Sequence, residues 1–99
     1  MIKHIILWKL KESMTCEEKA AAKAEAKRRL ESLNGNIPGM IALQVNTNGL
    51  DSSNADMMLD SSFETVEALA GYQVNPLHVE AATYVRSVVE SRLCLDYEI

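Results

Sequence analysis

Residues 2–10, IKHIILWKL, have the pattern of a β-strand with apolar side chains on both of its faces. One face holds Ile2, His4, Ile6, Trp8 and Leu10. The other holds Lys3, Ile5, Leu7 and Lys9, and is polar at its ends and apolar in the middle. A strand of this kind needs a cover on each face. Helices of the same chain can supply one cover, and the other must come from another sheet or another subunit.

A capping box marks the start of the first helix. Thr15 and Glu18 form the pattern T-x-x-E, and the helix is predicted to run through the alanine-rich stretch to about Leu33. Gly35 then ends it, because glycine readily adopts the left-handed conformation. A second strand is predicted over about 40–46, followed by the polar loop TNGLDSSNA and a third strand in DMMLDSSF.

The second half of the chain is predicted to form two helices and a last strand. A short helix is expected over about 64–72. The next begins at NPLH, with Asn75 as N-cap and Pro76 at the first helical position, and runs to about Val89. The segment RLCLDYE alternates as a strand. The order β-α-β-β-α-(α)-β over residues 1–99 predicts one ferredoxin-like α+β domain, an antiparallel sheet with helices on one face.

The sheet face away from the helices is expected to remain apolar, and Ile6, Trp8 and Leu10 are the side chains expected there. An exposed apolar sheet face on a small acidic protein favours association. Two such sheets can pack face to face about a two-fold axis and close into an eight-stranded barrel. The sequence therefore predicts a homodimeric α/β-barrel, with a monomer that keeps an open face as the alternative. A cavity is expected inside the barrel or between sheet and helices.

Charge and composition argue against several classes of partner. The net charge is −4, and the basic residues Lys27, Arg28 and Arg29 are interleaved with Glu25 and Glu31 on a predicted helix. This pattern is typical of a solvated helix face and not of a nucleic-acid or anionic-membrane surface. No apolar run approaches the roughly 18 residues of a membrane span. The N-terminal apolar run is too short and too lysine-rich for a signal peptide, so a cytoplasmic location is expected.

Motifs for metal or nucleophilic chemistry are not recognisable. Cys16 and Cys94 lie far apart in sequence without metal-ligand spacing, and reduced thiols are expected. The chain shows no Ser-His-Asp or Cys-His set, no glycine-rich phosphate loop and no zinc-site spacing. We therefore expect neither a metal nor an organic cofactor. Asp96 has no partner that the sequence identifies, and a solvent-exposed or edge position is expected for it.

Several short motifs together resemble the stress-responsive dimeric α/β-barrel (Dabb) family. They are IKHIILWKLK at the start, IPGM after the first helix, D-M-M-L-x-x-x-F-E-T-V-E-A-L in the middle, Y-x-x-x-P-x-H at 72–78 and LDYE near the end. Each motif alone is weak, but their order and spacing cover essentially the whole chain. The resemblance implies a ferredoxin-like homodimer.

The resemblance also implies candidate site residues. The family includes plant stress-associated proteins and the plant polyketide cyclase that makes olivetolic acid. In that cyclase the catalytic pair is the tyrosine and the final histidine of Y-x-x-H-P-x-H, which correspond to Tyr72 and His78 here. A pocket histidine on the first strand corresponds to His4. The chain departs from the cyclase at Asn75 and Met57, where the cyclase has two further histidines.

Two functions follow from this resemblance. The first is a small-molecule-binding barrel protein with no cofactor, whose ligand is apolar or contains a carbonyl group. Its pocket would include Tyr72 and His78, and its other expected ligand-binding residues are His4, Trp8, Met57 and Asn75. The second is a cofactor-independent cyclase-like lyase. There a neutral His78 at the start of its helix acts as general base, and Tyr72 polarises a carbonyl. A weaker third possibility, analogy to dimeric-barrel monooxygenases, rests on fold alone.

Structural roles remain open for the same residues. Tyr72 could pack at the end of its helix with its hydroxyl in solvent, and His78 could donate to a neighbouring backbone carbonyl. His4 is expected to be a buried, hydrogen-bonded histidine, and Trp8 to belong to the core or the dimer interface. Met57 is expected either to pack in the core or to give an adaptable pocket lining.

Overall fold

A computed structural model describes all residues, Met1–Ile99, as one four-stranded antiparallel sheet with three helices. The ferredoxin-like α+β fold expected from the sequence is confirmed. Its elements, in chain order, are β1 (Ile2–Leu10), α1 (Cys16–Glu31), β2 (Met40–Asn46), β3 (Met57–Phe63), α2 (Val66–Val74), α3 (Pro76–Val88) and β4 (Val89–Glu98).

The strand order across the sheet is β2-β3-β1-β4. β1 therefore lies in the interior and pairs with β3 on one side and β4 on the other, so that His4 lies opposite both Ser61 and Asp96. The helices cover one face of this sheet. β4 is an edge strand, and no strand of the chain pairs with its outer side.

The starts of the first and third helices were correctly predicted, whereas the start of the second and some ends lie a few residues away. Thr15 and Glu18 form the predicted capping box, and Asn75 caps α3 by accepting a hydrogen bond from the backbone N–H of Leu77 at 3.0 Å. α2 starts two residues later than expected because Thr65 is its N-cap. α1 ends at Glu31, two residues before the expected end. No helix is both long and apolar enough to cross a membrane.

The prediction that Ile6, Trp8 and Leu10 face away from the helices is wrong. All three are buried beneath the helices, with Leu10 fully inaccessible to solvent. Both faces of β1 are apolar in the middle, so the pattern alone did not decide which face the helices cover. The opposite face is flanked by Lys3 and Lys9, whose charged ends are more easily accommodated on an open surface.

The open face of the sheet carries a cluster of apolar side chains from the two neighbouring strands β1 and β4. Leu93 is 71% exposed and Leu95 is 63% exposed. They lie opposite Leu7 and Ile5 in the β1–β4 register, and Tyr97 continues the same face. An apolar surface of this kind does therefore exist, but it is formed by other residues than those predicted.

The outer edge of β2 is covered by side chains from the end of α1 and the turn after it. The Asn34 amide donates to the carbonyl of Leu43 at 2.8 Å and accepts from its N–H at 3.0 Å. Glu31 accepts from the N–H of Val45 at 3.0 Å, and Lys27 donates to the carbonyl of Val45 at 2.7 Å. These bonds satisfy outward-pointing backbone groups that would otherwise be free to pair with another strand.

Candidate functional site

A cavity of about 300 Å³ lies between the sheet and the helices, on the side where α3 passes into β4. Its walls are largely apolar and come from both layers of the fold. The apolar lining residues are Ile6, Trp8, Leu30, Leu59, Ala82, Val85 and Val89. Its polar and aromatic lining residues are His4, Tyr72, Gln73, His78, Arg86 and Arg92. A mostly apolar cavity with a few convergent polar groups is typical of a small-molecule site.

Tyr72 places a phenol group at the inner end of this cavity. The residue lies in the last turns of α2 and is 1% exposed, with its ring 5.0 Å from that of Phe63. Its hydroxyl is buried and has no hydrogen-bond partner in the protein. The pKa of Tyr72 is raised above its usual value by burial, against a smaller opposing effect of Arg92. The group is therefore a protonated, unengaged donor at neutral pH, and the expected alternative of a solvent-exposed hydroxyl does not hold.

His78 lies directly against Tyr72. With Asn75 as N-cap, it occupies the third position of α3, and the two ring centroids are 4.0 Å apart at an interplanar angle of 36°. Its Nδ1 is buried without a hydrogen-bond partner of normal geometry. Burial lowers the pKa of His78. The electrostatic effects of His4 and the nearby arginines lower this pKa further, and the backbone of Gln73 partly offsets the shift. The imidazole is thus neutral at pH 7, and burial is the main cause.

His4 closes the same side of the cavity from β1. It is 2% exposed, and its ring packs edge-on against Tyr72 with centroids 6.1 Å apart. Its Nδ1 is engaged by the carboxylate of Asp96, which lies opposite it on β4 and is 39% exposed. His4 is therefore buried and hydrogen-bonded as expected. Asp96 lies on the edge strand as expected, but it has a partner that the sequence did not identify.

One group of side chains approaches the arrangement of metal ligands. It consists of His4, Cys94 and Asp96. Their ligand atoms all lie within 4.8 Å of one another. The Asp96 carboxylate already engages the His4 nitrogen that would face a metal. Burial and the neighbouring Asp96 raise the pKa of the Cys94 thiol, so it is not an activated nucleophile. Cys94 and Cys16 are both exposed and free.

The structure brings together four of the residues singled out from sequence and leaves two outside the cavity. Tyr72, His78, His4 and Trp8 all line it. Asn75 is occupied as the cap of α3 and is not a lining residue. Met57 is buried in the core opposite Trp8 on β1 and does not line this cavity either.

Sequence reasoning missed the three longest polar side chains of the lining, namely Gln73, Arg86 and Arg92. Arg86 could have been found, because positions 78, 82, 85 and 86 recur at the spacing of one helix face. Arg92 could not, since its place beside the cavity depends on pairing with Trp8 across the β1–β4 register.

Comparison with known families decides the family of the chain. The model of the Dabb family, described as the stress responsive A/B barrel domain, matches residues 2–99. The chain belongs to the Dabb family. This membership confirms the resemblance inferred from the short motifs, and it identifies a stress-responsive A/B barrel domain without defining a reaction. No curated protein sequence matches the Dabb chain.

Solved structures support the fold of this Dabb chain over its whole length. A dimeric ferredoxin-like protein of unknown function from Bacteroides fragilis is 31% identical with a TM-score of 0.92, covering 99% of this chain and 95% of that one. An Arabidopsis thaliana protein is 24% identical with a TM-score of 0.74, covering 100% and 95%. Hydroxynitrile lyase from Passiflora edulis is 17% identical with a TM-score of 0.74, covering 99% and 92%. The last two likenesses concern the fold alone.

Proposed function

We propose that this Dabb protein binds a small, largely apolar carbonyl compound in the cavity between sheet and helices. The observation that carries the proposal is a pair of buried polar atoms, the Tyr72 hydroxyl and the His78 Nδ1, on two residues that line one cavity, and neither atom makes a hydrogen bond of normal geometry within the protein. A buried polar group without a partner costs about 1–3 kcal/mol, so two adjacent ones need an explanation. A ligand that satisfies both is the simplest one.

The chemistry of the two groups indicates the kind of ligand. Tyr72 is a protonated phenol and can donate to a carbonyl oxygen. A neutral His78 has one ring nitrogen that accepts, so it can receive a hydrogen bond from an enol or a hydroxyl group. A β-dicarbonyl compound in its enol form presents an acceptor and a donor side by side. The apolar wall formed by Ile6, Trp8 and Leu59 suits an aryl or alkyl substituent.

A calorimetric titration with the neutral probe 1-phenylbutane-1,3-dione tests this proposal. The wild-type protein should bind the probe, and Tyr72→Phe should weaken binding roughly fivefold to tenfold, the value of one hydrogen bond. Tyr84→Phe is the matched control, because Tyr84 packs under Arg29 and does not line the cavity. The proposal fails if the probe does not bind or if Tyr72→Phe binds it as tightly as the wild type.

A second function, a cofactor-independent lyase or cyclase, is favoured by the opposite shifts of two pKa values. The pKa of His78 is lowered and that of Tyr72 is raised, so base and proton donor coexist at pH 7. In the proposed step a proton passes from the α-carbon of a ketone to His78. The electron pair moves to the carbonyl oxygen, whose developing charge the Tyr72 hydroxyl stabilises. Return of the proton to carbon restores the ketone and the neutral imidazole.

Deuterium exchange into phenylacetone, followed by proton NMR in D₂O, tests the enzymatic function. The protein should accelerate the loss of the α-proton signal, and His78→Ala should reduce that acceleration by about 10²–10⁴-fold. His78→Ala must keep the thermal transition of a folded protein for the result to count. Wild-type rates equal to those of buffer would remove this second function and leave the binding proposal standing.

The proposal includes a homodimer that covers the open sheet face. Leu93 and Leu95 expose apolar surface to solvent in the single chain, and the outer edge of β4 has no partner strand. A second copy packed on this face would bury that surface. The related structures from Bacteroides fragilis and Thermobifida fusca are described as dimeric. Two exposed free cysteines suit a reducing compartment, so we also expect a cytoplasmic protein.

A further inference from the structure

Two arginines line the cavity without a carboxylate partner. We infer that the ligand carries a carboxylate, which Arg92, assisted by Arg86, binds at the side of the cavity where α3 joins β4. This inference rests on the proposed function, since it names the substrate class of the same cavity: small oxo-acids with an apolar substituent.

The four arginines of the chain divide into two pairs with different surroundings. Arg28 and Arg29 lie on α1 and both donate to Glu25. Arg86 has only a long 3.4 Å contact with the hydroxyl of Thr83, and neither Arg86 nor Arg92 lies in a salt bridge. The two arginines left without a salt bridge are therefore the ones beside the cavity.

The cavity is positive although the protein is acidic. The net charge is −4, with 14 acidic residues against 10 basic ones, yet no Asp or Glu lines the cavity. The guanidinium groups of Arg86 and Arg92 do, and the imidazole of His78 beside them is neutral. A cavity lined by charges of one sign concentrates their electrostatic field inside it. This positive lining therefore attracts an anionic ligand. The guanidinium also presents parallel donors that match the two oxygens of a carboxylate.

The two arginines and the unengaged pair line one cavity from different elements of the fold. Arg92 lies on β4 opposite Trp8, and Arg86 lies about two turns along α3 from His78. Both arginines line the same cavity as Tyr72 and His78, and both help to lower the pKa of His78. A carboxylate at Arg92 would place a ketone a few bonds away within reach of Tyr72 and His78.

An isosteric pair of probes tests this inference. The carboxylate probe is 4-oxo-4-phenylbutanoate, and the neutral one is 4-oxo-4-phenylbutanamide, which has the same shape and ketone. Calorimetry on the wild type should show the carboxylate binding at least about tenfold more tightly than the amide, and that preference should weaken with added NaCl. Arg92→Gln should remove most of the preference, because it should weaken the binding of the carboxylate far more than that of the amide.

Two variants control the experiment. Arg28→Gln removes an arginine that is bound to Glu25 away from the cavity, and it should leave both affinities unchanged. Arg92→Lys keeps the charge and should restore part of the preference, which a misfolded variant would not do.

The possible failures are distinguishable. Equal affinity of the wild type for carboxylate and amide, or a preference that is undiminished in Arg92→Gln, overturns the anion site and leaves the ligand cavity intact. A wild-type protein that binds neither probe overturns both the anion site and the proposed function.

Discussion

The rings of Tyr72 and His78 lie with their centroids 4.0 Å apart, and each residue carries a buried polar atom that makes no hydrogen bond of normal geometry within the protein. The two residues come from consecutive helices. α2 ends at Val74, Asn75 caps α3, and the chain turns there so that both side chains meet on the inner side of the helix layer. A pair that served packing alone would be expected to have its polar atoms hydrogen-bonded, as those of His4 are.

Replacing Tyr72 by Phe should stabilise the protein. The change removes a buried hydroxyl that has no partner and keeps the ring packed against Phe63. We expect the free energy of unfolding in urea to rise by about 1 kcal/mol, whereas loss of a satisfied hydroxyl would lower it by a similar amount. A gain in stability combined with weaker ligand binding is the combination expected of a functional group. Lower stability of Tyr72→Phe would show that the hydroxyl has a structural partner.

His78 should make the folded protein less stable as the pH falls below about 6.5. Burial lowers the pKa of His78 in the folded state, so the unfolded chain takes up a proton that the folded chain resists. The free energy of unfolding should fall between about pH 6.5 and the lower pKa of the folded state. His78→Asn should lose less stability than the wild type over that window, as measured by urea unfolding at a series of pH values. Parallel pH profiles would contradict the lowered pKa.

Gly39→Ala should destabilise the protein more than Gly35→Ala does. Both glycines have positive φ, at +76° and +84°, so alanine is strained at either position. Only at Gly39 does an added Cβ meet another residue, the Cβ of Ala68 on α2 at 2.5 Å. The difference in unfolding free energy should be about 1–3 kcal/mol, the usual range for overpacking. Equal losses for the two variants would mean that α2 is not docked on this turn.

Leu93→Lys should convert the proposed dimer to a monomer. Leu93 is exposed on the open sheet face opposite Leu7, and a charge there would be buried on association. Sedimentation velocity should give one dimeric species for the wild type and a monomer for the variant. Leu50→Lys is the matched control, since Leu50 is 79% exposed on the loop between β2 and β3 and should leave the dimer unchanged. A monomeric wild type would remove the homodimer from the proposal.

The elements with local signals were predictable from sequence. The capping box at Thr15 and the N-cap and proline at Asn75–Pro76 place helix starts through contacts within a few residues. The alternation of β1 also gave the correct sets of side chains on its two faces. These features depend on neighbours in the chain, which is why a single sequence was sufficient.

The features that depend on distant pairing were not predictable. Alternation shows that Ile6 and Trp8 share a face, but it does not show which face the helices cover when Ile5 and Leu7 are apolar as well. The contact of Asp96 with His4 was not predictable for the same reason. The two residues are 92 positions apart in sequence, and the contact depends on the register of β1 and β4. The unengaged state of the Tyr72 hydroxyl likewise follows only from the surrounding packing.

Histidine side-chain ¹⁵N NMR, recorded with and without 1-phenylbutane-1,3-dione, tests the central claim most directly. The chain has 2 histidines, so His78 can be assigned against His4 with one variant. A ligand in the cavity should shift the ring nitrogens of His78 strongly and in a saturable manner, because its Nδ1 gains a hydrogen-bond partner. His4 should shift less, since Asp96 already engages it. The contradicting result is a set of His78 resonances that does not change when the probe is present at millimolar concentration, which is on the order of the Kd of the weakest specific binding.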